Sequence, residues 1–350
     1  MLKRLLSVLC IISIHFLQSQ NEFKSSFEST KRPSKHNLKI AVSDSLGNEG
    51  YLPISIFKGK ADGPVFTIVA GVHGFEYPPI VATQQLMQEI HIDSLSGTII
   101  FIPIANRGSF YNRTPFINPV DGINLNNAFP GNIDGTITQQ LAHLITTNII
   151  PVSDVFLDIH GGDAPEDLLP FICYYDNKNR PEQTQQAKQL SEISGFEYVV
   201  SYPYALSDED PAKYVFKQAV QDGKTALSIE SGKLGNVQEE AVELVKNGVY
   251  NMLTDMKMYN KKHVLKKKPI RLNDQVYIRS NKKGIFYSSY KAGDSVQKDA
   301  VVGYTTDEFG TILEEYKASK SGIILYMLAT PPINKGNTVM CISSFLEENK

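Results

Sequence analysis

Val65-Phe-Thr-Ile-Val-Ala-Gly-Val-His73-Gly-Phe-Glu76 is the stretch on which the fold turns. Its first half is a short, β-branched apolar run that stops at Gly71, the pattern of a buried strand ended by a turn. Pro78-Pro79 then sits where a helix starts, since proline is well placed in a first turn. A strand followed directly by a helix is the unit of an α/β sheet, and ligands in such sheets bind beyond the carboxyl ends of the strands. His73 and Glu76 fall at that end. Imidazole nitrogen and carboxylate oxygen are ligands that catalytic zinc accepts, with three protein ligands leaving one position open.

Working outward, the same texture repeats. Strands are expected over 38–43 and 52–57, divided by the turn Leu46-Gly-Asn-Glu-Gly50, and over 98–104, which is apolar throughout as in a sheet covered on both faces. Helical spacing appears over 79–90, 137–149, 182–194, 211–221 and 237–256. The last carries Val237, Ala241, Leu244, Val245, Val249, Met252 and Leu253 on one stripe. Strand 155–159 runs into His160, a strand is read over 168–174, and strand 225–229 runs into Glu230. This alternation predicts an α/β fold over 37–256, with a mixed, largely parallel sheet covered by helices. Residues 105–136 show little periodicity, and a loop of that length inside a compact domain usually serves function. A lysine-rich linker is expected over 257–269. Beyond it, 270–345 breaks into short β runs separated by turn signals, predicting a small separate all-β domain of barrel or sandwich type.

The chain has 350 residues, is 42% hydrophobic and carries a net charge of −2, a balance that gives no reason to expect a nucleic-acid partner. Residues 1–20 start with Lys3-Arg4 and continue as an apolar run from Leu5 to Leu17, which reads as a secretory signal peptide and so predicts an exported protein, periplasmic or secreted. An uncleaved N-terminal anchor is the alternative. Cys10 is not read as a lipid-attachment site, because Leu9 before it is not small. Residues 21–36 are expected to form a polar leader, disordered or extended. Cys173 and Cys341 lie in apolar runs and read as buried small hydrophobes. No segment of the mature chain is apolar for long enough to span a membrane. The oligomeric state is not written in the sequence.

Three polar groups now stand at predicted strand ends: His73 with Glu76, His160, and Glu230. Taken as ligands, His73, Glu76 and His160 form a two-histidine, one-carboxylate set for one zinc per chain, whose bound water would have a pKa lowered toward about 7. Glu230 is placed to take a proton from that water and pass it to the leaving group. Asp158 shares a strand face with His160 and either orients that ligand or bonds loop amides. Arg113 could polarise a scissile carbonyl or hold a carboxylate, and Asn126 could donate to a substrate carboxylate. His91, His143 and His263 are read as structural.

Several of these strings together resemble the succinylglutamate desuccinylase/aspartoacylase family, a branch of the zinc carboxypeptidase fold. Gly71-Val-His73-Gly-Phe-Glu76 is similar to its His-Gly-x-Glu motif. Arg113-Thr-Pro followed by Asp121-Gly-Ile-Asn124-Leu-Asn126-Asn127-Ala-Phe129-Pro-Gly131 resembles its second signature. Asp158-Ile-His160-Gly-Gly resembles its third-ligand motif, and Ile229-Glu230-Ser-Gly232 its catalytic-glutamate motif. The resemblance spans about 37 to 343, the terminal β segment included. It implies zinc held by His73, Glu76 and His160, Glu230 as general base, Arg113 at the carbonyl, Asn126 on the substrate carboxylate, and hydrolysis of an N-acyl amide. The family has Arg where this chain has Asn127, a residue that donates hydrogen bonds but carries no charge. The expected substrate is therefore a small molecule or short peptide other than succinylglutamate or N-acetylaspartate. An exported metallocarboxypeptidase and a non-catalytic zinc-containing binding protein are the alternatives.

Overall fold

In the computed structural model, residues 22–207, 209–261 and 268–346 are described. The expected signal peptide and the core of the lysine-rich linker, with His263, lie outside these residues.

A helix over 22–28 (α1) leads into two long strands, β1 (Ser34–Ser43) and β2 (Glu49–Lys58), paired antiparallel. The order then becomes α/β: β3 (Ala61–Ala70), α2 (Tyr77–Glu89), β4 (Ser96–Ile102), α3 (Arg107–Asn112), the short strands β5 (Ile117–Asn118) and β6 (Ile123–Asn124), and α4 (Ile137–Leu144). There follow β7 (Val155–His160), β8 (Glu166–Leu168), β9 (Phe171–Asp176), α5 (Pro181–Ile193), β10 (Tyr198–Pro203), α6 (Val215–Gln221), β11 (Thr225–Glu230) and α7 (Glu239–Asp255). The C-terminal segment supplies β12 (Ile270–Arg279), β13 (Gly284–Tyr287), β14 (Ser295–Val296), β15 (Val301–Thr306), β16 (Ile312–Lys317), β17 (Gly322–Leu328), β18 (Pro332–Ile333) and β19 (Thr338–Phe345).

The centre of the sheet is the parallel trio β3, β7 and β11, flanked by β4 on one side and β9 on the other. These strands are the apolar runs of the sequence, and every residue of β7 is buried. Burial on both faces needs cover on both faces. On one side, Ile80 and Leu86 of α2, Leu190 of α5 and Val245, Val249 and Met252 of α7 pack on the sheet. On the other, Ile137 and Leu141 of α4, Val215 and Ala219 of α6, and Phe23 of α1 do so. Phe66, Phe101 and Phe156 have no exposed surface in these layers. Truncating any one to alanine is expected to cost about 3–5 kcal/mol. Cys173 and Cys341 are buried as unpaired thiols. Among the described residues no helix is long and apolar enough to cross a membrane.

The structure differs from the sequence expectation in three places. Residues 22–28 are helical rather than extended, because Phe23 is 3% exposed and stacks on Phe27, and the Lys58 ammonium donates to the carbonyls of Phe27 and Ser29. Strand β10 was not expected, and it enters the sheet between β9 and β12. The helix expected over 211–221 starts only at Val215, since Lys213 takes a left-handed φ of 69°.

The C-terminal segment is all-β, as expected. It has its own core, including Val302, Ile324 and Met340, and a second small sheet ordered β16-β15-β13-β18. Its other strands, however, continue the main sheet. β12 lies parallel to β10 (Tyr198 opposite Ile270), β19 and β17 follow, and β8 from the first half pairs with β17. Among the described residues, thirteen strands share one hydrogen-bonded sheet, to which the β segment adds β12, β19, β17 and β14 while keeping its own small sheet and core.

Candidate active site

The register of the central strands decides where the polar side chains arrive. Glu230, the last residue of β11, is level with His160, the last of β7, and Ala70 of β3 is level with Ile159. All three chains therefore leave the sheet at the same edge. Gly71 turns the exit of β3 with a φ of 66°, a left-handed value that glycine adopts without strain. Gly74 serves a different need. A Cβ there would lie 2.4 Å from Ser109 Oγ and 2.5 Å from the Thr114 carbonyl oxygen, so only hydrogen lets the 73–76 loop press onto the 109–115 segment. The Gly74 amide donates to the Pro115 carbonyl at 3.0 Å, and Phe116 stands edge-on to the His73 ring, centroids 5.2 Å apart.

His73, Glu76 and His160 converge. His73 Nδ1 is 2.7 Å from Glu76 Oε1, and His160 Nδ1 is 2.9 Å from Glu76 Oε2. The candidate ligand atoms of the three lie within 4.8 Å of one another, and all three residues are buried. His160 Nε2 donates to Asp158 Oδ2 at 2.8 Å, which fixes the ring with Nδ1 toward the cluster. Asp158 is thus on His160 rather than on loop amides. The opposite nitrogen of His73, Nε2, is buried without a partner. Two imidazoles and a carboxylate turned on one point, one of them braced by a second carboxylate, fit a divalent metal of the zinc type.

The charges in the cluster are tightly coupled. Burial works to raise the Glu76 carboxyl, but the two imidazoles outweigh it and hold it at about 2. Burial works to lower the His160 imidazole, yet Asp158 and Glu76 lift it well above its ordinary value. Glu230 is raised well above the usual carboxylate range by burial, against the pull of His160, with Glu76 and Glu166 adding repulsion. Burial likewise pushes Glu166 up to about 8, helped by the charge of Glu76, and Asp163 to about 6. A dication among the ligands acts in the opposite direction on the three raised carboxylates, Glu230, Glu166 and Asp163.

The cluster lines a cavity of about 660 Å³. His73, Glu76, His160, Glu230, Asp158 and Asn126 all line it. Arg113 and Asn127 do not: both side chains are exposed, and Arg113 ends α3 in a left-handed conformation with φ 52°. Asp121 of the same loop is spent on structure, accepting from the Thr138 amide and hydroxyl at 2.8 and 3.0 Å. His143 is on α4 and His91 precedes a turn of 3₁₀ helix, both away from the cavity.

The sequence reading did not anticipate much of the rest of the cavity lining. Tyr175 and Tyr202 come from β9 and β10, Tyr214 from the start of α6, and Tyr277, Arg279 and Tyr326 from β12 and β17. Alternation along Tyr277-Ile-Arg279 puts two of these on one strand face. That signal was in the sequence, but nothing there says that β12 docks beside β10. Asp163 and Glu166, in the loop after β7, were also missed.

Comparison with known proteins is consistent with this architecture. The family model for the succinylglutamate desuccinylase/aspartoacylase catalytic domain matches residues 62–256. The chain is 27% identical over 319 residues to an N-alpha-acetyl-L-2,4-diaminobutyric acid deacetylase of Halomonas elongata, covering 89% of this chain and 90% of that protein. A succinylglutamate desuccinylase structure from a Silicibacter species superposes with a TM-score of 0.80 at 23% identity, over 91% of this chain and 97% of that one. The product-bound ectoine utilization protein EutE of Ruegeria pomeroyi also has a TM-score of 0.80, at 22% identity, over 90% and 97% of the two chains. At these identities the two structures establish the shared fold.

Proposed function

Because the chain belongs to the succinylglutamate desuccinylase/aspartoacylase family, a family of amide-bond deacylases, we propose that it is a zinc-dependent hydrolase that removes the acyl group from an N-acylated amino acid. The observation that carries this reading is the convergence of His73 Nδ1 and His160 Nδ1 on the Glu76 carboxylate, with Glu230 level with His160 on the adjoining strand.

His73, Glu76 and His160 would hold the metal, and Asp158 would keep His160 in the required orientation. Zinc bound there supplies Lewis acidity, acidifying water and polarising the amide carbonyl. Glu230 is the proton carrier. Level with His160 at the strand edge and lining the same cavity, its carboxylate is placed to take the proton of the attacking water. The same carboxyl then protonates the amide nitrogen as the C–N bond breaks, which turns a poor leaving group into a neutral amine. Phe116 shields the outer side of His73, and Asn126 offers its amide to the substrate from the cavity wall.

The test is a hydrolysis screen of N-acyl amino acids with zinc-loaded protein, alongside Glu230→Gln. Wild type is expected to release free amine. The variant is expected to keep about one zinc per chain while losing at least about a hundredfold in kcat, the usual scale for a general base. A metal-stripped protein that still turns over, or a Glu230→Gln variant of undiminished rate, overturns the reading.

A further inference from the structure

A second pocket, of about 330 Å³, is separate from the active-site cavity and shares none of its lining residues. Glu209, Asp210 and Asp222 line it, and among the described lining residues there is no lysine or arginine. Lys224, two residues beyond Asp222, donates to the Pro151 carbonyl at 2.7 Å. Surface acids alone specify no ligand, but Gln218 of α6 lines the same pocket and is only 5% exposed. Its Nε2 donates to Asp222 Oδ1 at 2.9 Å, which holds the amide group beside that carboxylate. Its Oε1, on the same carbon, is buried without a partner. A buried oxygen that lacks a donor and stands next to carboxylates is satisfied by a cation.

The acids before α6 are drawn onto the same helix. Gln221 follows Gln218 by three residues and so shares its face. Its Nε2 donates to the carbonyls of Ser207 and Asp210 at 3.0 and 2.9 Å. Asp210 Oδ2 accepts from the Ser207 amide and hydroxyl at 2.9 and 2.8 Å. The remaining oxygens, Asp210 Oδ1 and Asp222 Oδ2, accept from no other described residue.

The pocket also adjoins two segments that reach the active site. Pro130 and Pro211 of its lining flank a bridge in which the Phe129 amide donates to the Lys213 carbonyl at 3.2 Å and the Lys213 amide to the Phe129 carbonyl at 3.1 Å. Asn126 and Tyr214, next along those two segments, line the active-site cavity.

We propose that Glu209, Asp210, Asp222 and Gln218 Oε1 form a calcium site, which clamps the residues before α6 to the end of that helix and steadies the Phe129–Lys213 bridge. The donors are all oxygen, which suits a hard cation, and three carboxylates favour a divalent one. Calcium takes about six to eight oxygens in flexible geometry, so water completes its shell here, whereas magnesium demands a near-ideal octahedron and dehydrates reluctantly.

The test is calorimetric titration of the zinc-loaded full chain with calcium chloride at fixed ionic strength, in wild type, Asp222→Asn and Asp210→Asn, with magnesium chloride as control. Wild type is expected to bind one calcium with Kd of about 0.1–1 mM, and each variant, both at exposed positions, to lose about tenfold or more. Hydrogen exchange at the Phe129 and Lys213 amides is expected to slow with calcium in wild type and not in Asp222→Asn. Absence of binding at about 10 mM calcium, equal binding of magnesium, or an affinity untouched by both variants overturns the site. Binding that leaves the two amides exchanging as before overturns the clamp. Glu166→Gln, in the active-site cavity, is expected to bind calcium as wild type does, and loss of binding there would place the ion in that cavity and overturn the site. None of these measurements reads turnover, so the deacylase reading and the calcium site fail separately.

Discussion

Replacing Asp158 takes a charge away from a side chain that has no exposed surface and accepts a 2.8 Å hydrogen bond from His160 Nε2. Asp158→Asn and Asp158→Ala separate two parts of its role. In the asparagine variant the amide oxygen can still accept from Nε2, so the ring stays oriented and only the charge is lost. In the alanine variant Nε2 has no acceptor, and Nδ1 is no longer held toward Glu76. Loss of such a bracing partner weakens metal binding by about 10–100-fold, or about 1.4–2.7 kcal/mol. The structure assigns the low end to asparagine and the high end to alanine. The assay is competition for zinc against a chromogenic chelator near neutral pH. Thermal melting of the metal-free proteins is run in parallel, so that unfolding is not mistaken for weak binding. An alanine variant that folds and binds zinc within about twofold of wild type would refute the bracing argument, since the brace would then contribute less than about 0.4 kcal/mol.

Three further outcomes are expected. In the metal-free protein, the Glu166 carboxyl is raised from 4.5 to about 8, so the folded state keeps a proton that the unfolded chain releases. The stability this contributes is complete below pH 4.5 and lost as pH rises toward about 8, and the raised Asp163, Glu230 and His160 act in the same sense. Melting temperature in chelator should therefore fall across that window, and a flat or rising profile would count against it. Gly74→Ala should destabilise the protein by about 1–3 kcal/mol and weaken zinc binding, because its Cβ meets a backbone carbonyl at 2.5 Å; an unchanged denaturation midpoint would mean the 109–115 segment yields freely. Finally, N-terminal sequencing of protein recovered from an exporting host should begin near Gln20, whereas an intact Met1 in a membrane fraction would favour the anchor.

The His73–Glu76–His160 cluster was legible in the sequence because its parts are short-range. An apolar run fixes a strand, and the polar residue after it must emerge at the strand's end, whatever lies beside it. His73, Glu76, His160 and Glu230 each follow that rule, and four such residues in one α/β pattern have few places to go but a common edge. The two-residue offset put Asp158 on the face of His160 but left its partner open, and the fold sets it on His160 Nε2. Arg113 and Asn126 were read from a loop without periodicity, where backbone conformation rather than pattern aims each side chain. Asn126 reaches the cavity, while Arg113, in a left-handed residue after α3, is directed to solvent.

What the tertiary structure alone decided is the other half of the cavity. The turn-rich β segment after residue 270 has no internal feature that names its neighbour, because backbone hydrogen bonding between strands carries no sequence code beyond alternation. Its docking, β12 on β10 and β17 on β8, is a matter of which edges were left free and which apolar faces matched. That docking brings Tyr277, Arg279 and Tyr326 to line the same cavity as His73 and Glu230, which lie far from them along the chain, and adds tyrosines to the acidic cluster at the sheet edge. The sequence by itself determined that the chain carries two histidines and two glutamates to one edge of an α/β sheet. Only the fold decided what they face, since a contact between distant segments follows from packing, not from local pattern.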